Sequence, residues 1–141
     1  MSGLPHRRKP GFTLVELCVV LAVAGVLASI AWPSFQAPLQ RSRRADAVAA
    51  LMRVQMAQES YRAHHGLYAA QLPGLQGASS PRSREGLYDI ELVGDGPNRY
   101  EARAVARAGS VVAGDTACAV MSVMVREGVA EFMPSARCWN R

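Results

Sequence analysis

The sequence predicts an α+β protein in which one long N-terminal α-helix packs on an antiparallel β-sheet of about four strands. Three observations predict this fold. An apolar run covers residues 12–32, a helical apolar period continues over residues 43–64, and short β-type runs separated by turn residues fill residues 87–133. In a chain of 141 residues, the part after the apolar run is long enough for one small domain.

The apolar run from Phe12 to Trp32 has the length of a membrane-spanning helix. Its 21 residues would rise about 30 Å, which matches the hydrocarbon thickness of a bilayer. A buried core helix is the alternative, but such a helix is seldom apolar on every side. Three basic residues, Arg7 to Lys9, precede the run and predict a cytoplasmic N-terminus with the rest of the chain outside.

One acid, Glu16, interrupts the apolar run. A charged side chain costs about 2.5 to 3.5 kcal/mol at the bilayer centre and less near its edge. An ionisable residue at such a position is therefore a functional hypothesis that needs a partner. The alternative is an acid near the interface that has no partner and reaches toward the headgroups.

The residues around Glu16 form an N-terminal motif that has a known counterpart. A short basic leader ends in Gly11, Phe12 follows, and the acid stands four residues after Phe12. From Lys9 to about Arg44, the chain resembles the class III signal of type IV pilins and pseudopilins. The resemblance implies that a prepilin peptidase cleaves between Gly11 and Phe12 and that the new amine of Phe12 is N-methylated.

The same resemblance assigns roles inside the helix. It implies that the Glu16 carboxylate of one subunit pairs with the Phe12 amine of a neighbouring subunit during assembly. In a low dielectric this attraction exceeds its value in water, although desolvation opposes it. The resemblance also implies that the stretch between Gly25 and Pro33 can lose helix in the filament. A helix with only a mild kink is the alternative for the unassembled chain.

The resemblance divides the chain into four parts. We expect a leader peptide over residues 1–11, a transmembrane and assembly helix over 12–35, an amphipathic extension over 36–65, and a loop with a β-sheet head over 66–141. Removal of the leader takes away three of the 16 basic residues and leaves 13 against 11 acidic residues. The sequence pI near 9.6 by itself suggests an anionic partner. Removal of the leader takes away most of the positive charge on which that inference rests.

The second half of the helix carries two apolar patches. The first spans an arc of about 140° at 100° per residue and is predicted to pack on the sheet; it comprises Ala45, Val48, Leu51, Met52 and Met56. The second is smaller and suggests neighbours in a fibre, or alanine used only for its helix propensity; it comprises Ala47, Ala50, Val54, Ala57 and Tyr61. Gly66 is a natural stop for the helix.

The head begins with a stretch rich in Gly, Pro and Ser over residues 67–86, which predicts a surface connection. Alternating apolar residues then predict four strands: Leu87–Val93, Tyr100–Ala106, Ala117–Val125 and Val129–Met133. The first two strands are expected to form a hairpin. Helix followed by sheet is also the ladle fold that the pilin resemblance implies.

The three cysteines differ in their expected surroundings. Cys18 lies within the apolar run, where we expect it to pack as a small apolar side chain. Cys118 and Cys138 lie in the exported part with 19 residues between them, so a disulfide is the leading interpretation in an oxidising compartment. A metal site is the weaker alternative because no further ligands stand at metal spacing. The disulfide also resembles the closed C-terminal loop of type IVa pilins, and the Cys-Trp ending resembles minor pilins of the PilE type.

No motif of an enzyme is present in the sequence, so we expect neither catalytic residues nor a cofactor. His64 and His65 are adjacent at the helix end and point about 100° apart, which disfavours a shared metal. The acids of the exported loops lack calcium spacing. We therefore expect no metal site.

Taken with the resemblance, these features predict a minor pilin at or near the pilus tip that helps to prime assembly for motility and adhesion and, at a lower rank, for DNA uptake. Expected partners are other pilins through their N-terminal helices, the prepilin peptidase, the inner-membrane assembly machinery and, before assembly, membrane lipid. The expected location is the bacterial inner membrane with a periplasmic head, and then the extracellular pilus.

Two alternatives remain open. One is a pseudopilin of a type II secretion system. The other is a minor pilin that binds DNA during uptake through surface arginines, for which the candidates are Arg82, Arg84, Arg137 and Arg141. DNA ranks below the fibre role as a partner, because surface arginines are usually solvated and few aromatic residues stand near these four.

Overall fold

The structure, a computed structural model, describes residues 12–140, except for the side chains of residues 31–36. One α-helix precedes four β-strands, and two short 3-10 helices, Leu72–Gly74 and Thr116–Cys118, lie in the connections. The long elements are α1 (Leu14–His65), β1 (Tyr88–Gly94), β2 (Arg99–Ala106), β3 (Val120–Arg126) and β4 (Val129–Met133). The predicted α+β class, with a long N-terminal helix and a four-stranded antiparallel sheet, is confirmed.

Helix α1 is continuous along its length. It begins where the Thr13 hydroxyl accepts a hydrogen bond from the Glu16 backbone N–H (3.2 Å), and it ends before Gly66, whose φ of +75° confirms the predicted stop. The backbone is helical at Gly25 and at Pro33. Loss of helix between these two residues in a filament therefore stays a prediction.

The chain divides into two compact units, and the boundary in the sequence falls between Ala37 and Pro38. In the described part of the first unit, every side chain over residues 12–30 is exposed, including large apolar ones such as Leu14 and Ile30. Cys18 is an exposed free cysteine. Among the described residues, no helical stretch combines the length and the hydropathy that a membrane span requires.

The second unit contains the sheet, whose spatial order β1-β2-β3-β4 follows the chain. The predicted hairpin of β1 and β2 is confirmed by an antiparallel register that sets Ile90 opposite Ala104. The turn between β3 and β4 consists of Glu127 and Gly128, both with positive φ, as a tight two-residue hairpin requires. Alternate side chains of the strands form the core, as the period of two demands: Tyr88, Ile90, Tyr100, Ala102, Ala104, Met121, Val123 and Val125.

The face of α1 that packs on the sheet differs from the predicted one. The buried residues of α1 include three of the five residues assigned to the second patch; they are Arg44, Asp46, Ala47, Ala50, Leu51, Val54 and Gln58. The predicted core face was partly right: Leu51 is buried, and Val48 and Met52 are partly buried against the core. It was wrong for Ala45 and Met56, which are exposed.

The connection over residues 67–86 is largely exposed, as predicted, but part of it also enters the core. It buries Tyr68, Ala69, Leu72, Leu75 and Ala78 in the core. Its last residues run beside β1, where Ser83 N–H donates to Tyr88 O (2.9 Å) and Ile90 N–H donates to Pro81 O (2.8 Å). The connection therefore covers the outer edge of β1 and completes the core.

The third strand starts later than predicted. β3 begins at Val120 rather than at Ala117, and Cys118 lies in the preceding 3-10 helix, not within the strand. The chain turns there through a hydrogen bond from Cys118 N–H to Asp115 O (3.0 Å). This turn brings Cys118 to its partner cysteine and Asp115 to the helix, which an extended strand would not do.

Candidate functional site

The N-terminal residues expected to direct assembly lie at the exposed start of α1. Phe12 is 78% exposed, and Glu16 is exposed in the first helical turn, where a negative charge is favoured by the helix dipole. Within residues 12–140, the Glu16 carboxylate has no hydrogen bond or ion pair. Gly11 and the side chain of Pro33 lie outside the described residues.

The C-terminal segment is fastened to the sheet. Cys118 and Cys138 form the predicted disulfide, with a Cα–Cα distance of 5.6 Å, and both are buried. Trp139 Nε1 donates a hydrogen bond to Met133 O (2.9 Å), and its ring packs edge-on against Phe132 at 4.8 Å. These contacts hold residues 138–139 in the core of the head.

A buried ion pair, which sequence reasoning missed, joins α1 to the same region. Arg44 Nε lies 2.6 Å from Asp115 Oδ2, and Arg44 Nη2 lies 2.9 Å from Asp115 Oδ1. The signal for it was the spacing of Arg44, which precedes Ala47 and Leu51 by three and seven residues and so lies on their face. A charge on the buried face of a helix calls for an opposite charge.

Arginines on the head differ in how far acids neutralise them. Arg82 Nε and Arg107 Nε approach the same oxygen, Asp89 Oδ1, at 3.8 and 3.6 Å. Arg107 Nη1 also donates to Gly86 O (3.0 Å). One carboxylate is thus shared by two guanidinium groups. Arg84 and Arg53 have no side-chain hydrogen bond or ion pair with any described residue.

Of the four arginines proposed for DNA contact, the three that the structure describes do not form one cluster. Glu85 N–H, next to Arg84, donates to Asp46 Oδ1 (3.2 Å), whereas the backbone O of Arg137 accepts from Arg44 Nη1 (3.4 Å). Residues 44 and 46 point to different sides of α1, since they differ by about 200°. The connection and the C-terminal segment therefore flank the helix on two sides. Arg141 lies outside the described residues.

Two hollows lie where α1 meets the connection. A small recess of about 40 Å³ is lined by Arg53, Ser80 and Arg82 among others. A wider cavity of about 460 Å³ lies at the helix end and is lined by residues that include Tyr61, His64 and His65. Within residues 12–140, no group of three or more metal-ligating side chains occurs.

The two adjacent histidines are held by the helix backbone. His64 Nδ1 lies 2.7 Å from Ser60 O, and His65 Nδ1 lies 2.9 Å from Tyr61 O. The His65 ring stacks on Tyr61 with 4.0 Å between centroids. Both histidines are exposed. Although their directions differ, both line the wider cavity.

Comparison with known families gives two adjacent matches. The family described as "Type IV minor pilin ComP, DNA uptake sequence receptor" matches residues 33–122, which is more than half of the chain. The family described as "Prokaryotic N-terminal methylation motif" matches residues 6–32. Together the two matches run without a gap from the basic leader to β3.

Individual relatives are pilins and a secretion-system protein. A type IV major pilin protein of Neisseria gonorrhoeae is 34% identical over 73 residues, which is 52% of this chain and 33% of that protein. A fimbrial protein of Pseudomonas aeruginosa is 34% identical over 84 residues, 60% of this chain and 49% of that protein. The type II secretion system core protein G of Aeromonas hydrophila is 30% identical over 100 residues, 65% of this chain and 70% of that protein. The chain spans half or less of the length of the gonococcal pilins it matches.

Proposed function

Because the chain belongs to the type IV minor pilin family, we propose that it is a structural subunit of a type IV pilus. It enters the fibre as a minor pilin at or near the tip and helps to prime assembly. The observation that carries this proposal is the pair of adjacent family matches, in which a methylation motif over residues 6–32 leads directly into a minor pilin match over residues 33–122. Other pilins, the prepilin peptidase and the assembly machinery of the inner membrane are its partners.

The parts of the chain act in sequence. Residues 1–11 are a leader that the peptidase removes between Gly11 and Phe12, and the new amine is methylated. Residues 12–35 hold the subunit in the inner membrane with a cytoplasmic N-terminus. Residues 36–65 extend the helix, and residues 66–141 form the periplasmic head, which becomes extracellular with the pilus. The wholly exposed, largely apolar side chains over residues 12–30 support this assignment because such a surface needs a lipid or protein environment.

The Glu16 carboxylate forms a contact between subunits during assembly. Since it has no partner among the described residues of its own chain, a second subunit supplies the positive group. The methylated amine of Phe12 on that subunit supplies it, and a low-dielectric surrounding strengthens the attraction. The pair therefore forms only when a subunit lies beside another at the depth where the amine of one meets the carboxylate of the other.

A comparison of Glu16→Ala with Glu91→Ala tests this role. Glu91 is an exposed acid on β1, so its loss changes the charge equally without touching the N-terminal helix. We expect both variants to reach the membrane at wild-type levels and Glu16→Ala alone to be depleted from sheared filaments, by about tenfold for a pair worth 1.4 kcal/mol. Undiminished Glu16→Ala in the filaments would contradict the role.

A receptor for DNA is a second candidate function. The matching family is described as a DNA uptake sequence receptor, and this raises DNA above the lower rank that sequence reasoning alone gave it. The head offers arginines on the side of α1 where the connection meets β1. Arg53 and Arg84 have no acidic partner among the described residues, and Arg82 shares Asp89 with Arg107. Such groups can contact phosphates at little cost in broken ion pairs.

Binding of duplex DNA by the purified full-length chain in detergent tests this candidate. Phosphate contacts release counterions, so the logarithm of the association constant should fall linearly with the logarithm of salt concentration, with a slope near 0.9 per contacted phosphate. We expect binding that weakens steeply from about 50 to 200 mM salt. Absence of binding at the low-salt end would remove the DNA function and leave the fibre role standing.

The relationship to core protein G in Aeromonas hydrophila keeps a pseudopilin of a type II secretion system as the alternative. Deletion of the gene separates the two systems by phenotype. Loss of surface pili and of twitching with normal enzyme secretion supports the pilus. Loss of secretion with normal pili supports the secretion system.

A further inference from the structure

The side chain of Arg44 contacts two segments of the head that are distant in the sequence. Its guanidinium meets the Asp115 carboxylate at 2.6 and 2.9 Å and donates a hydrogen bond to Arg137 O at 3.4 Å. Asp115 belongs to the connection between β2 and β3, and Arg137 belongs to the C-terminal segment that follows β4. One buried cation on α1 therefore binds both segments to the helix.

The disulfide joins the same two segments beside Arg44. Asp115 precedes Cys118 by three residues, and Arg137 precedes Cys138 by one. A 3-10 turn, in which Cys118 N–H donates to Asp115 O (3.0 Å), fixes the path of the chain between the acid and the cysteine. Because the disulfide holds the two segments together, it keeps both partners of Arg44 at a high effective concentration.

Two neighbouring contacts attach these segments to the same stretch of α1. Arg43 Nη1 donates to Val111 O (3.2 Å), and Asn140 Nδ2 donates to Arg41 O (3.3 Å). Both are exposed hydrogen bonds, which contribute modestly to stability. The Arg44 pair differs, because a buried cation that loses its counterion is strongly destabilising.

Closure of the two segments over α1 also buries the disulfide. Cys118 and Cys138 are each 1% exposed, and the adjacent Trp139 is 4% exposed. Thiol–disulfide exchange requires access to a sulfur atom. Oxidation of the two thiols therefore has to precede complete closure of the head.

We propose that the disulfide and the Arg44 pair form one redox-controlled latch on α1. When the disulfide is present, the two segments close over the helix and supply the counterion of Arg44. A dithiol reductant opens the latch by two exchanges: its first thiolate attacks one cysteine sulfur and releases the other cysteine, and its second thiol then releases the protein. Two electrons and two protons pass to Cys118 and Cys138, and the reductant leaves as a disulfide. The two segments then separate from α1, while the sheet stays folded.

A thermodynamic cycle on the full-length chain in detergent tests the latch. Asp115→Asn is measured in the oxidised chain and in the chain kept reduced by dithiothreitol. In the oxidised chain it should raise the unfolding equilibrium constant about 100-fold, as expected for a broken buried pair. In the reduced chain the increase should stay below about tenfold, because the open head has already lost the contact between Arg44 and Asp115.

The matched control for this cycle is Gln58→Met. Gln58 is also buried on α1, but its hydrogen bonds go to Ala69 in the connection over residues 67–86. It lies 14 residues from Arg44, which is about 21 Å along the helix. Its effect on the unfolding equilibrium constant should therefore be the same in both redox states. Equal effects of Asp115→Asn in the two states would overturn the latch.

Hydrogen exchange shows how much of the head opens on reduction. The N–H groups of Cys118 and Trp139, which donate to Asp115 O and Ala136 O, should exchange faster in dithiothreitol. The N–H groups that pair β1 with β2 should stay protected. Loss of protection throughout the sheet would overturn the latch, because the disulfide would then support the whole head.

The coupling can also be measured in the opposite direction. Linkage requires that loss of the ion pair favour reduction by the factor by which reduction weakens the pair. Asp115→Asn should therefore shift the equilibrium with dithiothreitol about tenfold or more toward the reduced chain. Asp95→Asn, which removes an exposed pair with Arg99, should leave this equilibrium unchanged. An equilibrium unchanged in Asp115→Asn would contradict the latch.

Discussion

The guanidinium of Arg44 and the carboxylate of Asp115 meet at two points, at 2.6 and 2.9 Å. Both side chains are almost fully buried, at 8% and 9% exposure. Arg44 also donates to Arg137 O (3.4 Å), so one side chain connects α1, the turn before Cys118 and the C-terminal segment. The hydrogen bond to Asp115 raises the pKa of Arg44 above its usual value, and burial acts in the opposite direction. The Arg44 guanidinium therefore stays protonated at every physiological pH.

Removal of the acidic partner should destabilise the head strongly. Asp115→Asn keeps the size of the side chain but leaves Arg44 buried without a counterion, which costs about 3 kcal/mol. Denaturant unfolding of the purified full-length chain in detergent measures the change. The control is Asp95→Asn, which removes the exposed pair of Asp95 with Arg99 and should cost less than about 1 kcal/mol. Equal losses in the two variants would mean that the Arg44 pair stabilises no more than a surface contact.

Gln58 should also be essential to the fold, although it is polar and fully buried. Its Nε2 donates to Ala69 O and its Oε1 accepts from Ala69 N–H, both at 2.8 Å. Gln58→Met fills similar space but leaves two buried backbone groups without partners. We expect a loss of about 2 to 3 kcal/mol in the free energy of unfolding.

The comparison for Gln58 is Gln55→Met, a half-exposed position one turn earlier on α1. There we expect a change within about 0.5 kcal/mol. A similar effect at both positions would indicate that the paired hydrogen bonds to Ala69 contribute little.

Features that depend on local sequence were predictable. The stop of α1 before Gly66 was predictable because glycine readily adopts the positive φ observed there. The turn at Glu127 and Gly128 was predictable because a short hairpin needs the positive φ that glycine favours. The strands were predictable from the alternation of apolar residues, and β4 was predicted with its observed bounds. The motif around Glu16 could likewise be recognised in the sequence because its residues are neighbours in the chain.

Features that depend on contacts between distant segments were not predictable. A pattern weighted by side-chain size chose Met56 for the core, but Met56 is exposed, and the buried helix positions include Ala47 and Ala50. Gln58 and Arg44 looked like ordinary polar residues because their partners come from other segments. The recess of Arg53 and Arg82 exists only once the connection has folded onto the helix.

Gly94, at the end of β1, should resist replacement. A Cβ added there would lie 2.6 Å from Ala70 Cα and 2.9 Å from Ala70 Cβ, so the strand end and the connection would have to separate. Gly94→Ala should cost about 1 to 3 kcal/mol, measured as a lower midpoint of thermal unfolding. Gly114→Ala is the control because its added Cβ would meet no atom within 4 Å. A midpoint for Gly94→Ala as high as that of the control would show that the backbone yields without strain.

Tyr100 should make the head sensitive to alkali. Its ring is buried, packs edge-on against Tyr68 at 4.8 Å, and carries a hydroxyl with no partner among the described residues. Burial, followed by the charges of Tyr68 and Glu59, raises the pKa of Tyr100 well above its usual value. Above pH 10 the unfolded chain therefore releases a proton that the folded chain keeps.

Stability should consequently fall as the pH rises above about 10, the pKa of tyrosine in an unfolded chain. For this one group the fall approaches about 1.4 kcal/mol per pH unit, until the folded-state pKa is reached. Tyr100→Phe removes the titrating group, so the dependence of unfolding free energy on pH between 9 and 11 should become shallower. At pH 7 the same variant should be as stable as the wild type or gain about 1 kcal/mol, since it deletes a buried hydroxyl without a partner. An unchanged alkaline slope would show that Tyr100 reaches solvent before the head unfolds.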